Sequence, residues 1–285
     1  MGPSFRYHVA TIVAVFLALA VGMVIGSSHL QEALVDRLRV QLRELSDRFT
    51  NEIQPLRKEN ESKGKALALL TARVTRGALT DKRVAVAVTG DYGDAAQQAA
   101  EALRQAGATI ESTTVFPSSF PVRLEIGLPT LAKSLRGQYS PSDDNRAVVF
   151  RTIASLIARG APSQILTNLT EAHLIQADGE YGHRADAVVL IGGSRDESDR
   201  RWLSVDQPLI EQLSEMDATV IGTEPESSVQ SYIRAYQSKN ISTVDNVDTE
   251  IGRTCLVLLV GGERGAYGVK STARDGLLPP GPPHE

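Results

Sequence analysis

The sequence is poor in cysteine: Cys255 is the only one among 285 residues. A lone cysteine excludes an intrachain disulfide and a zinc site made of cysteines. The three methionines form no cluster, and His173 and His183 each stand alone in their neighbourhoods. Because metal sites are built from several such side chains at close spacing, we expect no bound metal and no cofactor.

Familiar catalytic and nucleotide-binding motifs are absent as well. The sequence contains no G-x-S-x-G, no H-E-x-x-H and no P-loop, the patterns that mark many hydrolases and nucleotide-binding proteins. The formal net charge of −4 argues against bulk binding to nucleic acid. These absences favour a protein that is not an enzyme.

One long hydrophobic run is present, at residues 9–28, and it contains no charged residue. A helix of this length spans about 30 Å, the thickness of the hydrocarbon core of a bilayer. The run therefore predicts a transmembrane anchor, preceded by a short tail at residues 1–8. The alternatives are a cleavable signal peptide, for which Ala18-Leu19-Ala20 has a suitable form, and a buried core helix.

The charges that flank the anchor bear on its orientation. Arg6 precedes the run, and more arginines follow it, which by the positive-inside rule would keep the rest of the chain in the cytoplasm. Long domains can cross a membrane regardless of charge, so this count is a weak guide. The arginines that follow are Arg37, Arg39, Arg43 and Arg48.

Residues 30–76 have few helix breakers and carry apolar side chains at three- and four-residue spacing, which is typical of a coiled coil. We expect a stalk that joins copies of the chain, with Asn60 at a seam position that sets the register. A four-residue step from Phe49 to Ile53 predicts a stutter, and Pro55 predicts a kink or break. The alternative is that these helices pack on their own domain. The residues assigned to assembly are Leu42, Leu45, Asn60, Leu67 and Leu70.

Between residues 80 and 270, short apolar strands alternate with helical segments. This order predicts an α/β domain with a mostly parallel sheet, Rossmann-like or flavodoxin-like. The proline-rich stretch 117–144 is expected to be an insertion or irregular crossover, and the tail 271–285 to be disordered. The expected strands are 83–89, 109–116, 185–191, 218–223 and 240–244, and the expected helices are 91–106, 147–160, 162–176, 203–216, 228–237 and 249–260.

Polar loops follow these strands, at the edge where open α/β sheets bind their ligands. We expect Asp248 to cap the last helix and Asp245, too far upstream to cap it, to belong to a site. The alternative is that these residues only shape strand-to-helix turns; an enzyme built on the loops is a further alternative. The candidate crevice, for a ligand or a partner, consists of Asp91, Ser194, Arg195, Glu224, Asp245 and Asp248.

Three stretches together resemble one known family. The opening FRYHV at residues 5–9 runs into AVFLALAVG at 14–22, ISTVDNVDT stands at 241–249, and YGVK at 267–270 precedes LLP at 277–279. In these motifs the chain is similar to the copper transport outer membrane protein family MctB, which also includes the corynebacterial cell-separation protein SteB.

The resemblance implies a bacterial protein with an N-terminal anchor, a coiled coil and an α/β domain outside the cytoplasm, against the arginine count. It implies either of two roles. One is copper export or tolerance. The other is envelope work at cell division, in which the protein pairs with a membrane protein and influences peptidoglycan hydrolase activity. The scarcity of copper ligands in the sequence leans toward an interaction module.

Overall fold

A computed structural model describes residues 5–135 and 144–280 of the chain. It divides into two compact units, Met1–Lys65 and Ala66–Glu285, which are described separately. Parts of three predicted segments lie outside the described residues: 1–4 of the N-terminal tail, 136–143 of the proline-rich stretch and 281–285 of the C-terminal tail.

The first unit is helical and begins with α1 (Phe5–Arg48). Within it, Tyr7–Gly26 is long and apolar enough to cross a membrane, and its side chains are exposed. A buried core helix, the alternative interpretation, would have its side chains covered by protein, whereas the side chains of this segment are exposed. The predicted anchor and the first part of the predicted stalk therefore form one continuous helix.

A single π-helical turn, Phe49–Ile53, separates α1 from α2 (Gln54–Thr75). The N–H of Gln54 donates to the carbonyl of Phe49, five residues back, so the turn takes in one residue more than an α-helical turn. This turn coincides with the predicted stutter. The prediction of a break at Pro55 is wrong, because helix continues on both sides and the disturbance is confined to this turn.

The second unit contains a seven-stranded sheet in the order β3-β2-β1-β4-β5-β6-β7. All neighbouring strands are parallel except β2 and β3. Without the edge strands β3 and β7, the order is that of a doubly wound, flavodoxin-type sheet. The predicted mostly parallel α/β fold is confirmed. The strands are β1 (Arg83–Val88), β2 (Thr109–Val115), β3 (Gln176–Gly179), β4 (Ala187–Ile191), β5 (Val220–Thr223), β6 (Ser242–Val244) and β7 (Ala266–Tyr267).

Helices cover both faces of this sheet, which explains why its central strands are apolar without alternation. Alternate side chains of β1 enter different cores: Ala85 and Ala87 join the core under α4 to α8, while Val84 and Val86 join the core under α3 and α9. The helices are α3 (Gly93–Gln105), α4 (Phe120–Leu135), α5 (Asn145–Arg159), α6 (Ser163–Glu171), α7 (Gln207–Glu215), α8 (Ile233–Ser238) and α9 (Glu250–Gly261).

Several predicted boundaries need correction. The stretch expected to be irregular contains α4, which accommodates Pro129. Helix α6 ends early, at a turn in which His173 has a φ of 52°, and the chain then forms β3. A π-helical turn, Trp202–Asp206, precedes α7, and α8 starts at Ile233 rather than at residue 228.

The C-terminal segment also differs from the prediction, since residues 271–280 do not form a disordered tail. Thr272 and Pro279 are buried, and the carbonyl of Leu277 lies 3.2 Å from the Sγ of Cys255. The segment after β7 is thus part of the α/β unit up to the last described residue.

Candidate functional site at the carboxyl edge of the sheet

The candidate site lies where β1 and β4 run side by side. The helices that follow these two strands pack on opposite faces of the sheet, so the loops part and leave a crevice at their carboxyl ends. The two loops touch through their backbones, since the N–H of Asp91 donates to the carbonyl of Gly193 at 3.1 Å. A Cβ on Gly90 would lie 2.2 Å from that same oxygen, so only glycine allows this approach.

Asp91 ties the two loops together. Its Oδ2 accepts hydrogen bonds from the hydroxyl of Ser194 at 2.6 Å and from the N–H of Arg195 at 3.0 Å, while Oδ1 pairs with Arg201. Burial would raise the pKa of Asp91, but these hydrogen bonds and the guanidinium outweigh it and hold the pKa below its usual value. The guanidinium of Arg195 itself stacks over the Tyr92 ring, 5.3 Å from its centre.

Arg201 is the central cation of the crevice. Its guanidinium bridges Asp91 and Asp199, with 2.6 Å to Oδ2 of Asp199. The hydroxyl of Tyr232 donates to that same oxygen at 2.9 Å. Burial opposes the ionisation of Asp199, yet the hydrogen bonds from Arg201 and Tyr232 lower its pKa to about 2. Asp199 and Arg201 therefore form a charged pair over the whole physiological pH range.

Asp206 lies beneath this pair and is buried. The hydroxyls of Thr89, after β1, and of Tyr236, on α8, both donate to its Oδ1, while its Oδ2 has no hydrogen-bond partner among the described residues. Burial disfavours the charged carboxylate and raises its pKa to about 6, despite both hydrogen bonds. The ring of Tyr236 reaches this position because Gly192 leaves room for it: a Cβ there would lie 2.0 Å from the tyrosine hydroxyl.

A second group of charges surrounds Lys270. Its ammonium lies 2.7 Å from Oε1 of the fully buried Glu224 and donates to the carbonyl of Pro225. Burial raises the pKa of Glu224, and the nearby Lys270 opposes this. The N–H of Tyr232 donates to the other oxygen of Glu224 at 2.8 Å, so Tyr232 connects this group to the crevice.

Asp245 is a structural anchor for the segment after β7. Its buried carboxylate accepts hydrogen bonds from the N–H of Val269 at 2.8 Å and from the hydroxyl of Thr272 at 2.8 Å. Gly268 lies so close that a Cβ there would be 1.9 Å from Oδ1 of Asp245. Asp245 was expected to belong to a site at the crevice edge. Its oxygens are instead occupied by a segment more than twenty residues downstream.

The prediction that Asp248 caps α9 is wrong, because the N-cap is the next residue in the chain. Thr249 is the N-cap of α9, and its side-chain oxygen accepts from the N–H of Gly252. Asp248 instead accepts from the N–H of Glu226 at 2.7 Å and so ties the loop after β5 to the loop after β6.

Five of the six predicted crevice residues thus fall into two groups at one edge of the sheet, one around Arg201 and one around Lys270, while Asp248 joins two neighbouring loops. The sequence interpretation missed the two cations, and with them the tyrosines that connect the groups. Lys270 stands in the YGVK motif, which could have identified it as a site residue. Arg201 follows an acidic loop, and no sequence pattern identified it. The residues missed are Thr89, Asp199, Arg201, Asp206, Tyr232, Tyr236 and Lys270.

The predicted assembly residues differ in exposure. Leu42, Leu45 and Leu70 are 66%, 71% and 60% exposed, and Asn60 is exposed. Leu67 is half-buried. Leu67 belongs to the α/β unit. In the same part of α2, Thr75 is buried, and the hydroxyl of Thr71 accepts a hydrogen bond from the hydroxyl of Thr254. The last turns of α2 thus contact their own domain, which was the alternative interpretation for the stalk.

The charged side chains of the crevice are engaged with one another and with neighbouring polar groups. Carboxylate oxygens of Asp91, Asp199, Glu224 and Asp245 are held by cations, hydroxyls or backbone N–H groups. Among the residues that the structure describes, no group of three or more His, Cys, Asp and Glu is placed to hold a metal ion. His183 contacts Glu111 at 3.2 Å through Nδ1.

An apolar N-terminal helix joined to a mostly parallel α/β unit defines a membrane-associated α/β protein. The chain belongs to the family described as copper transport outer membrane protein, MctB, which it matches over residues 4–278. It is 25% identical over 300 residues to proteins named copper transporter MctB from Mycobacterium tuberculosis and Mycobacterium bovis. Each match covers 93% of this chain and 96% of the relative. The resemblance seen in the sequence motifs is confirmed.

Proposed function

We propose that this protein is a single-pass, non-enzymatic membrane protein of the bacterial envelope that supports copper export or tolerance. In this proposal it assembles through its stalk and presents its α/β domain outside the cytoplasm to a membrane-protein partner. Family membership supports the copper role. The observation that carries the assembly is the set of exposed leucines along α1 and α2.

These leucines support self-assembly because they repeat with heptad spacing and have no cover within the described chain. Leu42 and Leu45 stand at a and d positions of α1, and Leu56 continues the pattern after the π-helical turn. Burying a leucine side chain contributes about 1.5–3 kcal/mol. A second copy of the stalk would cover this face, and Asn60 at an a position would set the register at some loss of stability.

The closed chemistry of the crevice supports an interaction role over a catalytic one. General acid–base or nucleophilic catalysis needs a group that can reach a substrate. Here the charged oxygens of Asp91, Asp199 and Glu224 are engaged inside the protein. The loops that these contacts hold still carry exposed polar side chains outward, among them Arg195 and Glu226, and these would form the rim of a docking surface.

In this proposal, copper is the substrate that the assembled system transports. One membrane-spanning helix cannot line a pore alone, so transport requires several copies or a partner. The ligand-poor sequence agrees with a supporting role, in which the assembled anchors or the partner provide the path.

The alternative is a SteB-like role in cell separation, in which the same stalk and domain pair with a membrane partner and influence peptidoglycan hydrolases. The observation that favours it is the combination of an exposed apolar stalk with an internally neutralised domain, which suits a scaffold.

A complementation experiment separates the two roles. The gene is deleted in its host, and the strain receives the wild-type chain, a Leu42→Asp/Leu45→Asp variant or a control, Glu44→Ala/Asp47→Ala, altered outside the seam. Cell copper content after copper exposure and cell separation are measured. We expect copper content to rise on deletion and to return to normal with the wild type and the control but not with the seam variant.

A separation defect with unchanged copper content would support the SteB-like alternative. A strain in which deletion changes neither property would contradict both roles. Protease treatment of intact cells tests the orientation: the α/β domain should be cleaved, and a fully protected domain would place it in the cytoplasm.

A further inference from the structure

A second polar region lies away from the crevice, beside the amino ends of β6 and β7. Helix α8 and the segment after β7 line an open surface cavity of about 440 Å³. A cavity of about 340 Å³ adjoins it and shares Gln237 and Arg274. The larger cavity is lined by Arg234, Gln237, Ser238, Ser271, Thr272 and Arg274, and the smaller one adds Arg264. We call this region the arginine groove.

The arginines of the arginine groove differ from Arg83, Arg146, Arg201 and Arg253, each of which pairs with a carboxylate. Other arginines without a carboxylate partner, such as Arg159, bond to a backbone carbonyl instead. Within the described part of the chain, no carboxylate lies within salt-bridge distance of the three groove arginines, Arg234, Arg264 and Arg274, and all three are exposed.

One carboxylate does line the smaller cavity. Asp275 stands on its wall, and its Oδ2 accepts the N–H of Ala266 at 2.7 Å. The side chains that line the larger cavity, all of them in the described chain, include no carboxylate. The charged side chains that line the larger cavity are therefore both positive, Arg234 and Arg274.

Hydrogen bonds fix the two walls of the groove relative to each other. The amide of Gln237 on α8 donates to the carbonyl of Thr272 at 2.8 Å and to the hydroxyl of Thr243 at 3.1 Å. The hydroxyl of Thr272 donates in turn to the buried carboxylate of Asp245 at 2.8 Å. The backbone positions of Arg234 and Arg274 are thus set by the folded core, so the two walls need not move to present both side chains to a shared ligand.

We propose that the arginine groove binds the phosphoryl group of a phosphorylated ligand, either a soluble one or the headgroup of an anionic phospholipid. Guanidinium groups match phosphate oxygens with paired N–H donors, and such charge-assisted hydrogen bonds are among the strongest in proteins. Two or three of them around one cavity neutralise a doubly charged phosphate. The hydroxyl of Ser271 on the same wall adds a further donor.

Calorimetry on the full chain in a nonionic detergent tests this. The probes are inorganic phosphate, soluble dihexanoyl phosphatidylglycerol and, as a zwitterionic control, dihexanoyl phosphatidylcholine. We expect saturable binding that weakens at higher salt. Tighter binding of inorganic phosphate identifies a soluble ligand, and tighter binding of phosphatidylglycerol identifies the lipid headgroup.

The decisive variant is Arg234→Gln/Arg274→Gln, compared with Arg123→Gln, which removes a charge on α4 outside the groove. The double variant should bind at least about tenfold more weakly, because it loses two charge-assisted donors, and the control should match the wild type. Thermal melting verifies folding; if the double variant melts earlier, Arg234→Gln alone is compared instead. Absence of binding to both anionic probes, or equal weakening in the Arg123→Gln control, would overturn the proposal.

Discussion

Leu42 and Leu45 in the first unit are 66% and 71% exposed, whereas Glu224 in the α/β unit, a charged residue, is fully buried. Each unit thus contains a local inversion of the usual distribution of apolar and charged side chains. In the α/β unit the inversion is balanced internally, because Lys270 and the N–H of Tyr232 satisfy the carboxylate of Glu224. In the first unit, nothing in the described chain covers the leucines.

We infer from this difference that the two units obtain their stability from different sources. The α/β unit contains partners for most of its buried polar groups, with Oδ2 of Asp206 among the exceptions, so its fold is largely specified by its own sequence. The first unit is an exposed helix whose apolar surface calls for a bilayer around Tyr7–Gly26 and, we propose, for a second stalk further along.

The largest effect is expected from a charge in the middle of the apolar helix. Phe16→Lys places an ammonium group near the centre of Tyr7–Gly26, where a charged residue costs about 2.5–3.5 kcal/mol on insertion. The full chain should then shift strongly from the membrane fraction to the soluble or aggregated fraction after a high-salt wash. Phe16→Ala is the control and should stay in the membrane. Equal partition of both variants would contradict a membrane-embedded helix.

The next effect concerns the buried pair in the α/β unit. Lys270→Met leaves the carboxylate of Glu224 buried without its cation, which should lower the free energy of unfolding by about 3 kcal/mol. Lys239→Met breaks a more exposed pair with Glu211 and should cost at most about 1 kcal/mol. Denaturant unfolding compares the two, and adding Glu224→Gln to Lys270→Met should restore part of the loss. Similar losses for both lysines would show that burial of Glu224 has no special importance.

The third effect is a pH dependence centred on Asp206. Burial raises the pKa of this group from 3.8 to about 6 in the folded chain. Between these values the folded state binds more protons than the unfolded one, so its contribution is fully present below about pH 4 and is lost as the pH rises through about 6. The change amounts to about 3 kcal/mol.

The variant Asp206→Asn removes this titration while its side-chain oxygen can still accept from Thr89 and Tyr236. Relative to the variant, the wild type should lose stability steadily from about pH 4 to about pH 7 in denaturant unfolding. The difference between the two proteins removes the contribution of other titrating groups. A constant difference over this range would mean that Asp206 does not carry a raised pKa.

The central architecture of the α/β unit could be predicted from the sequence because its strands are buried on both faces. A run such as Ala187–Ile191 is apolar without alternation, and that pattern is typical of a parallel sheet covered by helices. Strands β3 and β7 were missed for the opposite reason. They are edge strands of four and two residues, too short to show a period.

The partners of the candidate site could not be predicted, because they depend on contacts between distant parts of the chain. Asp91 and Arg201 are 110 residues apart, and Glu224 and Lys270 are 46 apart. The pattern around Asp245 indicated a polar residue at the end of a strand, and this is correct. That its oxygens are taken by the N–H of Val269 and the hydroxyl of Thr272 follows only from the fold.

Disulfide cross-linking of the full chain in native membranes tests whether the chain self-assembles through the stalk. Leu42→Cys and Leu45→Cys introduce a thiol at seam positions, and Asp47→Cys introduces one on the opposite side of the helix. The natural Cys255 is buried and does not compete. Seam positions of a parallel coiled coil bring two Cα atoms within about 7 Å, close enough for a disulfide. We predict a covalent dimer on non-reducing gels for Leu42→Cys and Leu45→Cys and very little for Asp47→Cys; no dimer at either seam position, or equal dimer at all three, would contradict the claim.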